Sequence, residues 1–346
     1  MKDTILGLDL AKTIFHIVEI NRAGKQLRKR KLRRNQMSTF FANQPECLIA
    51  MEACGSAHYW SRVFQEMGHE VILFPPQHVK GYLRGQKNDY NDALAIAEAA
   101  QHGAIRPVSI KSIEQQDEQA FHRIRQQLIG ERTRLINQIR GLLSEYGLVF
   151  RIGDASFRQN IPVILEDANN QLSARFRTLL NKQYQRFLSL DKEIQSYQKQ
   201  LEIEVGQDEV CQRLIEVPGF GPVVSSAFKG WLGDGQQFKR GRDASAALGV
   251  VPRQHSTGGH TRLYGITKKG DSYVRSLIIH GARSVTQHAK KKTDPLSNWI
   301  NRLVETRGFN KAVVALANKL IRIAWVIVAR DERYEPQAML DINGAA

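Results

Sequence analysis

The spacing of hydrophobic positions in the first hundred residues predicts a series of short strands and helices. Ile14, Val18 and Ile20 fall at even spacings along one run, which is the period of a half-buried strand. A turn at residues 21–24 leads into a third run that is strongly basic. The predicted strands cover residues 4–10, 13–20, 26–34, 47–51 and 70–74, and the predicted helices include residues 57–67 and 91–102.

The order of these elements predicts an α/β fold built on one mixed sheet. Three consecutive strands joined by tight turns favour an antiparallel meander, and the strands that follow alternate with helices. This order is that of a ribonuclease-H-like sheet.

Beyond residue 114 the hydrophobic period changes to three and four residues, which predicts helices. One apolar stripe runs from Phe121 to Tyr146, and another runs from Leu180 to Leu201. Two such stripes favour an antiparallel helical hairpin or a coiled-coil dimer arm, with a plain helical bundle as the alternative. The chain after residue 210 is predicted to be mainly α-helical. We therefore expect three domains, which cover residues 1–112, 113–206 and 207–346.

Composition changes the picture by pointing to an anionic partner. The 346 residues carry a formal net charge of +16. Lys and Arg gain affinity for nucleic acid by releasing its counterions, so nucleic acid is the leading partner. A membrane surface and a basic protein without such a partner remain alternatives. The basic runs at residues 28–34 and 290–292 are interpreted as backbone contacts to DNA or RNA, although a charged edge strand also prevents aggregation.

The N-terminus and the cysteines favour a cytoplasmic protein. Nothing at the N-terminus resembles a signal peptide. The three cysteines lack the paired spacing of a zinc site or a disulfide framework, which fits a reducing cytosol. The most apolar stretch, residues 312–329, carries Lys319 and Arg322, so we predict a buried helix and no membrane span.

Four carboxylates in the first third of the chain are candidate metal ligands. Asp9 lies near the end of the first predicted strand, and Glu52 ends the fourth. Asp89 and Asp92 open a helix, and their spacing of three places both on one helical face. Carboxylates that converge from strand ends and a helix N-terminus form an oxygen site suited to Mg²⁺. Taken singly, each acid could equally be a helix cap, a turn former or a surface residue.

A Gly-rich turn at residues 216–222 resembles a helix-hairpin-helix motif. Gly219 and Gly221 would let backbone N–H groups approach a phosphate at a helix N-terminus. Such a turn grips a nucleic-acid backbone without reading its sequence. An ordinary turn between two helices is the alternative.

Ser256 is a candidate nucleophile in a loop that glycines make flexible. A serine that attacks phosphorus needs positive charge near the phosphate and a proton acceptor. The arginines could supply the charge, and His255, a nearby carboxylate or a metal-bound hydroxide could accept the proton. From spacing alone, a loop whose serine only binds phosphate is the favoured reading. The candidate nucleic-acid contacts in and around this loop are Arg253, His255, Thr257, Gly258, Gly259, Arg262, Lys268 and Lys269.

The ordered set of motifs resembles one family, the DEDD transposases of insertion sequence 110. The set comprises the four acids, a helical middle, a V-P-G-x-G-P turn at 217–222 and a P-R-x-x-S-x-G-G segment at 252–259. The segment at 265–271 and the late Ala-rich helix are also similar, and the Q-H-S-T-G-G form is similar to the 1111 subgroup. The resemblance covers nearly the whole chain.

The resemblance implies a fold and a set of roles. It implies a RuvC-like N-terminal domain, a coiled coil, and a C-terminal transposase domain. Asp9, Glu52, Asp89 and Asp92 would bind Mg²⁺, and Ser256 would form a covalent phosphoserine link to DNA. It also implies a structured guide RNA (a bridge RNA) that pairs with donor and target DNA, and a location at the bacterial nucleoid. A dimer or tetramer would complete the site between the RuvC-like domain of one subunit and the serine domain of another. Because Thr257 lies between the serine and the glycines, Thr257 is the alternative nucleophile.

Two further functions remain open at this stage. One is a purely hydrolytic, metal-dependent endonuclease of the Holliday-junction-resolvase type, in which Ser256 only binds phosphate. The other is an architectural nucleic-acid-binding protein without catalysis, although the convergent acids weigh against it. We interpret His16, His58, His122 and His288 as surface or packing residues.

Overall fold

The computed structural model describes residues 4–86 and 88–336. The chain divides into two compact units, the first ending at Ile113 and the second beginning at Glu114. Residues 1–3 and 337–346, at the ends of the first and last predicted domains, lie outside the described residues. The three-domain division stays a prediction.

The first unit contains the strands β1 (Thr4–Asp9), β2 (Ile14–Asn21), β3 (Gln26–Arg33), β4 (Leu48–Glu52) and β5 (Glu70–Phe74), and the helices α1 (Met37–Ala42), α2 (Ala57–Glu66), α3 (Pro76–Val79) and α4 (Asp89–His102). The second contains α5 (Ile113–Ser144), α6 (Asp154–Glu166), α7 (Ala174–Gln207), α8 (Glu209–Ile215), α9 (Pro222–Leu232), α10 (Gly241–Ala247), β6 (Pro252–Thr257), β7 (His260–Ile266), α11 (Ser272–His288), α12 (Pro295–Arg307) and α13 (Phe309–Ala329).

The first unit is a five-stranded mixed sheet in the order β3-β2-β1-β4-β5. The first three strands form an antiparallel meander, and β4 and β5 run parallel to β1. Successive side chains alternate between the two faces. Leu8, Phe15 and Met51 pack on one face with α1 and α2, whereas Ile5 and Val18 pack on the other with α4. The predicted α/β ribonuclease-H-like sheet is therefore confirmed.

Helix α4 lies unusually close to β1 because Gly7 has no side chain. A Cβ atom at Gly7 would lie 2.0 Å from the carbonyl oxygen of Ala93 and 2.7 Å from the amide nitrogen of Ala97. Small residues on both surfaces, among them Ala93 and Ala97, are fully buried there. This contact places the first turn of α4 beside the end of β1.

In the second unit, α5 and α7 form an antiparallel helical hairpin with α6 against it. Leu135 and Ile139 of α5 share one core with Phe187 and Ile194 of α7 and with Phe157 of α6. The apolar stripes of the sequence therefore meet within one chain, as an antiparallel hairpin requires. The coiled-coil dimer arm stays a prediction.

The remaining helices pack around α13. Leu316, Leu320 and Ala324 of this helix are fully buried in the largest core of the chain. Among the described residues, Phe309–Ala329 is the one helix long and apolar enough to cross a membrane by length and composition. It serves here as a core helix, as the sequence predicts, and Lys319 lies with its Nζ 5.4 Å from the ring centre of Trp299.

The segment around Ser256 is a two-stranded hairpin, and the prediction of a loop there is wrong. Strands β6 and β7 pair in antiparallel register, and Gly258 and Gly259 form the connection with φ of +58° and +80°. Two positive φ angles in a two-residue turn match the right-handed twist of the strands. Ser256 therefore lies on a strand with a defined direction, and all the hairpin residues except Ile266 are exposed.

Replacing Gly7 by alanine tests the contact between α4 and β1. The added methyl group would overlap the Ala93 carbonyl, so we expect a loss of about 1–3 kcal/mol in the free energy of unfolding. Gly81→Ala is the matched control, because a Cβ there meets nothing within 4 Å. Thermal denaturation of both variants measures the difference, and equal melting temperatures would contradict the role assigned to Gly7.

Asp191 of α7 provides a test of the helical hairpin. This buried carboxylate contacts Arg132 at 2.8 Å and Arg158 at 2.7 Å. Burial alone would raise the pKa of Asp191, but hydrogen bonds from the two arginines outweigh it and hold the pKa below 3.8. We expect Asp191→Asn to cost about 3 kcal/mol, at the lower end for a broken buried pair because Arg158 keeps access to solvent.

The same carboxylate predicts a pH dependence. Because its pKa is lower in the folded state, its stabilisation is complete above the unfolded pKa and is lost as the pH falls through the folded pKa. Urea unfolding between about pH 5 and pH 2 should therefore show a steeper loss of stability in the native protein than in Asp191→Asn. The exposed neighbour substitution Glu193→Gln is the control, and parallel pH curves for Asp191→Asn and the native protein would contradict this assignment.

Candidate functional site

Asp9, His16 and Glu52 lie side by side on the face of the sheet that carries α4. Asp9 pairs directly with His16 of β2. The parallel register of β1 and β4 pairs Leu8 with Met51, so its next step brings Asp9 beside Glu52. Residues in direct cross-strand register share a face of the sheet. The meander and the parallel strand thus gather two of the four predicted acids at one end of the sheet.

The first turn of α4 brings Asp89 to this end of the sheet. The side chain of Asn88 caps the helix by accepting hydrogen bonds from the backbone N–H groups of Tyr90 and Asn91. Asp89 Oδ2 lies 3.3 Å from His16 Nδ1, and its side chain is 64% exposed. Asp92 lies in the same helical turn and is half-buried.

Three of these side chains are close enough to share one metal ion. One ligand atom from each of Asp9, His16 and Asp89 lies within 4.8 Å of the others. His16 is 8% exposed, and its buried Nδ1 faces Asp89 without a hydrogen bond. A buried ring nitrogen without a hydrogen-bonding partner, beside two carboxylates, fits a divalent cation.

His16 is buried, as the packing interpretation allows, and the structure adds that it lies beside Asp9 and Asp89. Its pairing with Asp9 follows from the observed register of β1 and β2, which the predicted strand bounds do not fix. The edge of its ring also packs against Tyr90, with ring centres 4.8 Å apart, which fixes the ring between β2 and α4.

Cys54 lies two residues after the end of β4, next to the acids of the site. Partial burial, followed by the carboxylates of Glu52 and Asp9, raises the pKa of this thiol. The two negative charges act in the same direction because they disfavour the thiolate.

Ser256 lies on one face of the β6–β7 hairpin with two polar neighbours. Gln254 Nε2 donates a hydrogen bond to Ser256 Oγ at 2.8 Å. Thr261, the cross-strand partner of Ser256, has its Oγ1 3.3 Å from the same oxygen. The serine hydroxyl is exposed and held by these two contacts.

His255 and Thr257 point to the opposite face of the hairpin, because side chains alternate along a strand. His255 pairs with Arg262, and its ring contacts that of Tyr264 with centres 6.0 Å apart. Within the hairpin, therefore, the side chains of His255 and Arg262 point away from the hydroxyl of Ser256. This geometry removes His255 as the neighbouring proton acceptor, and it separates Ser256 from its alternative, Thr257.

Gly219 of the predicted phosphate-binding turn is used for packing. It has φ of +86°, and a Cβ there would lie 2.9 Å from the carbonyl carbon of Gly281 in α11. Gly221 differs, because a Cβ there meets nothing within 4 Å and the residue caps the N-terminus of α9. Of the two glycines, only Gly221 has open space where a side chain would lie.

The base of the hairpin is held by two hydrogen bonds to backbone carbonyls, one from the backbone of Lys268 and one from the guanidinium of Arg275. Lys268 donates its backbone N–H to the Gly249 carbonyl at 3.0 Å, and Arg275 donates to the Lys269 carbonyl at 2.7 Å. The side chains of both lysines remain exposed. Arg253, on β6, is exposed as well.

A buried polar cluster joins α5, α9 and α11 of the second unit. His122 Nε2 lies 2.8 Å from Ser226 Oγ, and its Nδ1 lies 3.1 Å from the hydroxyl of Tyr273. The hydrogen bond with His122 is the main cause that lowers the pKa of Glu118 against the effect of burial. His122 is thus a packing residue, as predicted, beside a cavity of about 360 Å³.

Comparisons with known proteins agree over most of the chain. A family model for DEDD transposases of the IS110 type matches residues 6–148, and a model described as "Transposase IS116/IS110/IS902 family" matches residues 211–296. A "Probable family 20 transposase" of Pseudomonas aeruginosa is 44% identical over 96% of this chain and 98% of its own length. The "Transposase for insertion sequence element IS1111A" of Coxiella burnetii is also 44% identical, over 96% of this chain and 92% of its own.

Two more distant similarities are a further transposase and one solved structure. The transposase for IS1328 of Yersinia enterocolitica is 36% identical over 94% of this chain and 97% of its own. The solved structure of T. thermophilus RuvC in complex with Holliday junction substrate covers 30% of this chain and 99% of its own, with 15% identity and a TM-score of 0.24. On the matching family models and the full-length relatives, the chain belongs to the IS110 family of transposases, enzymes that cut and rejoin DNA.

Proposed function

We propose that this transposase cuts and rejoins DNA with a divalent cation at the end of its sheet and with Ser256 as the nucleophile. The convergence of Asp9, His16 and Asp89, with Glu52 next in register, is the observation that supports the proposal most strongly. A transposase must hold a scissile phosphodiester next to groups that stabilise its developing charge. A carboxylate-rich end of a sheet does this once a cation is bound.

Asp9, Asp89, Glu52 and Asp92 would hold the cation, and His16 would add a nitrogen ligand. Carboxylate oxygens suit Mg²⁺, and an imidazole also suits Mn²⁺. When bound, the cation would neutralise negative charge on the phosphate. The protein's own contribution is to fix the donors, through the β1–β2 register for His16 and through the capped helix α4 for Asp89.

Ser256 would attack the phosphorus atom of the cut strand. The bond between Oγ and phosphorus forms as the bond from phosphorus to the leaving DNA oxygen breaks, and the serine proton passes to an acceptor. The covalent link conserves the phosphodiester energy, so the strand can be rejoined without another energy source. Because His255 points away from Ser256, the acceptor must come from outside the hairpin.

Target choice would come from an element-encoded guide RNA, and the active form would be a dimer or tetramer at the bacterial nucleoid. The net charge of +16 is suited to holding two nucleic acids at once. Gly221 at the N-terminus of α9 and the exposed Arg253, Arg262, Lys268 and Lys269 are candidate backbone contacts. The helix-hairpin-helix role of the turn would then rest on Gly221.

Replacing Ser256 by alanine tests the nucleophile. The purified protein is incubated with a divalent cation, RNA from its element and labelled DNA that carries the element junction. After denaturation, we expect DNA attached covalently to the native protein, and at least a hundredfold less attached to Ser256→Ala, because no oxygen remains to form the link. Thr257→Ala is the matched control and should retain attachment, since Thr257 lies on the other face.

Two results would lead to different conclusions. Attachment that depends on Thr257 in place of Ser256 would reassign the nucleophile to the alternative residue. Cleavage without attachment in any variant would favour the hydrolytic endonuclease of the resolvase type, which the absence of a base beside Ser256 within the hairpin already makes a second candidate.

The cation site is tested by direct binding. We expect Asp9→Asn and His16→Gln each to weaken Mn²⁺ binding more than tenfold, because each removes a donor from the cluster. Glu66→Gln, an exposed acid on α2 and so on the other side of the sheet, should leave binding unchanged. Titration calorimetry on the full chain measures all three, and equal affinity in native protein and Asp9→Asn would refute the site.

A further inference from the structure

The edge strand β3 carries more positive charge than any other strand of the sheet. Its sequence is Gln-Leu-Arg-Lys-Arg-Lys-Leu-Arg, and every residue except Leu32 is exposed. It pairs with β2 on one side and forms one edge of the five-stranded sheet. A charged edge prevents edge-to-edge aggregation, but that role does not depend on which face each charge occupies.

The register divides these charges between the two faces of the sheet. Lys31 pairs with His16 and Lys29 pairs with Val18, and both partners face α4. Arg30 pairs with Ile17, which packs on the α1 and α2 face. Arg33, at even spacing from Lys31, belongs to the α4 face, and Arg28 belongs to the opposite face with Arg30.

Contacts with the flanking helices confirm this division. Lys29 Nζ lies 5.6 Å from the ring centre of Tyr90, a residue of α4. The guanidinium of Arg30 lies 5.5 Å from the ring centre of Phe40, a residue of α1. The two neighbouring cations of β3 therefore point to opposite sides of the sheet.

On the α4 face, the cross-strand row that contains the acids extends to Lys31 of β3. Lys31, His16 and Asp9 are in direct register across three neighbouring strands, and the next register step reaches Glu52. Neighbouring strands lie about 4.8 Å apart, so the backbone of Lys31 lies about 10 Å from that of Asp9. A side chain as long as that of lysine covers a large part of this distance.

Within residues 4–86 and 88–336, Lys29, Lys31 and Arg33 make no ion pair with an acid. Cations of both faces contact aromatic rings, since Arg30 lies over Phe40, Arg34 over Trp60 and Lys29 over Tyr90. What distinguishes the charges of the α4 face is that they lie on the same face of the sheet as the acid cluster.

We propose that Lys29, Lys31 and Arg33 bind successive phosphates of the DNA strand whose scissile bond lies at the acid cluster. This inference rests on the proposed function, because it takes the end of β1 as the place of cleavage. The DNA strand is favoured over a guide RNA because the row is continuous with the residues that act on DNA. These three side chains would orient the DNA strand, so Lys29, Lys31 and Arg33 are positioning residues.

Two double variants of the same strand test the proposal. The α4-face variant combines Lys29→Gln with Lys31→Gln. The opposite-face variant combines Arg28→Gln with Arg30→Gln. Each variant removes two positive charges from one face of β3. Binding of labelled DNA to the full-length protein is measured by fluorescence anisotropy over a range of salt concentrations without divalent cation. Circular dichroism melting of both variants shows whether each remains folded.

We expect the α4-face variant to bind DNA at least tenfold more weakly. Its plot of log affinity against log salt should be shallower by about 1.4 to 1.8, the value for two lost phosphate contacts. The opposite-face variant should keep the native slope. Equal effects of the two variants would overturn the proposal, and a loss confined to labelled RNA would show that the row binds RNA instead.

Crosslinking locates the row relative to the scissile bond. In a Cys54→Ser background, Lys31→Cys and Arg30→Cys are compared for disulfide formation with DNA that carries a thiol tether on the phosphate next to the cut. We expect the Lys31→Cys protein to crosslink at least tenfold faster, and equal rates would refute the placement. Because neither measurement requires strand transfer, failure of the serine mechanism would leave both results interpretable.

Discussion

The close contact of α4 with β1 is the constraint on which the candidate catalytic site depends. A helix can approach a strand this closely only where the strand has no side chain, and Gly7 provides that opening two residues before Asp9. The approach brings the first turn of α4, with Asp89, close to the end of the sheet. A helix held farther away by one methyl group would carry Asp89 away from His16. A close backbone contact within the core thus sets the geometry of the acid cluster.

The two faces of the sheet differ in composition, since one is largely apolar and the other also carries the acid cluster. The face toward α1 and α2 is a continuous apolar core that includes Phe15, Met51 and Phe64. The face toward α4 is apolar beneath the helix and becomes ionic at the end where β1 and β4 finish. Because side chains alternate strictly along each strand, one register determines both the core and the ionic row. A slip of one residue would therefore destroy stability and the site together.

Much of the first unit could be predicted from the sequence, because its strands show a clear period of two and its acids stand at their ends. The meander, the positions of Asp9 and Glu52 and the start of α4 follow from local patterns. The proposed role of His16 was missed because His16 lies beside Asp9 only once β1 and β2 are paired. The hairpin of Ser256 was missed because its exposed strands lack the apolar alternation that marks a buried strand, although two adjacent glycines between polar alternating residues already indicate a turn. The packing of Gly219 could not be predicted, because its partner, Gly281, lies far away in the sequence.

The hairpin that carries Ser256 contributes almost nothing to any core, since all its residues except Ile266 are exposed. Substitutions in it therefore cost the fold little, in contrast to substitutions at Gly7 or Gly219. The surroundings of the serine can therefore be varied with little effect on the free energy of unfolding. What limits substitution at residues 252–259 is then the function of the hairpin and not the packing of the fold.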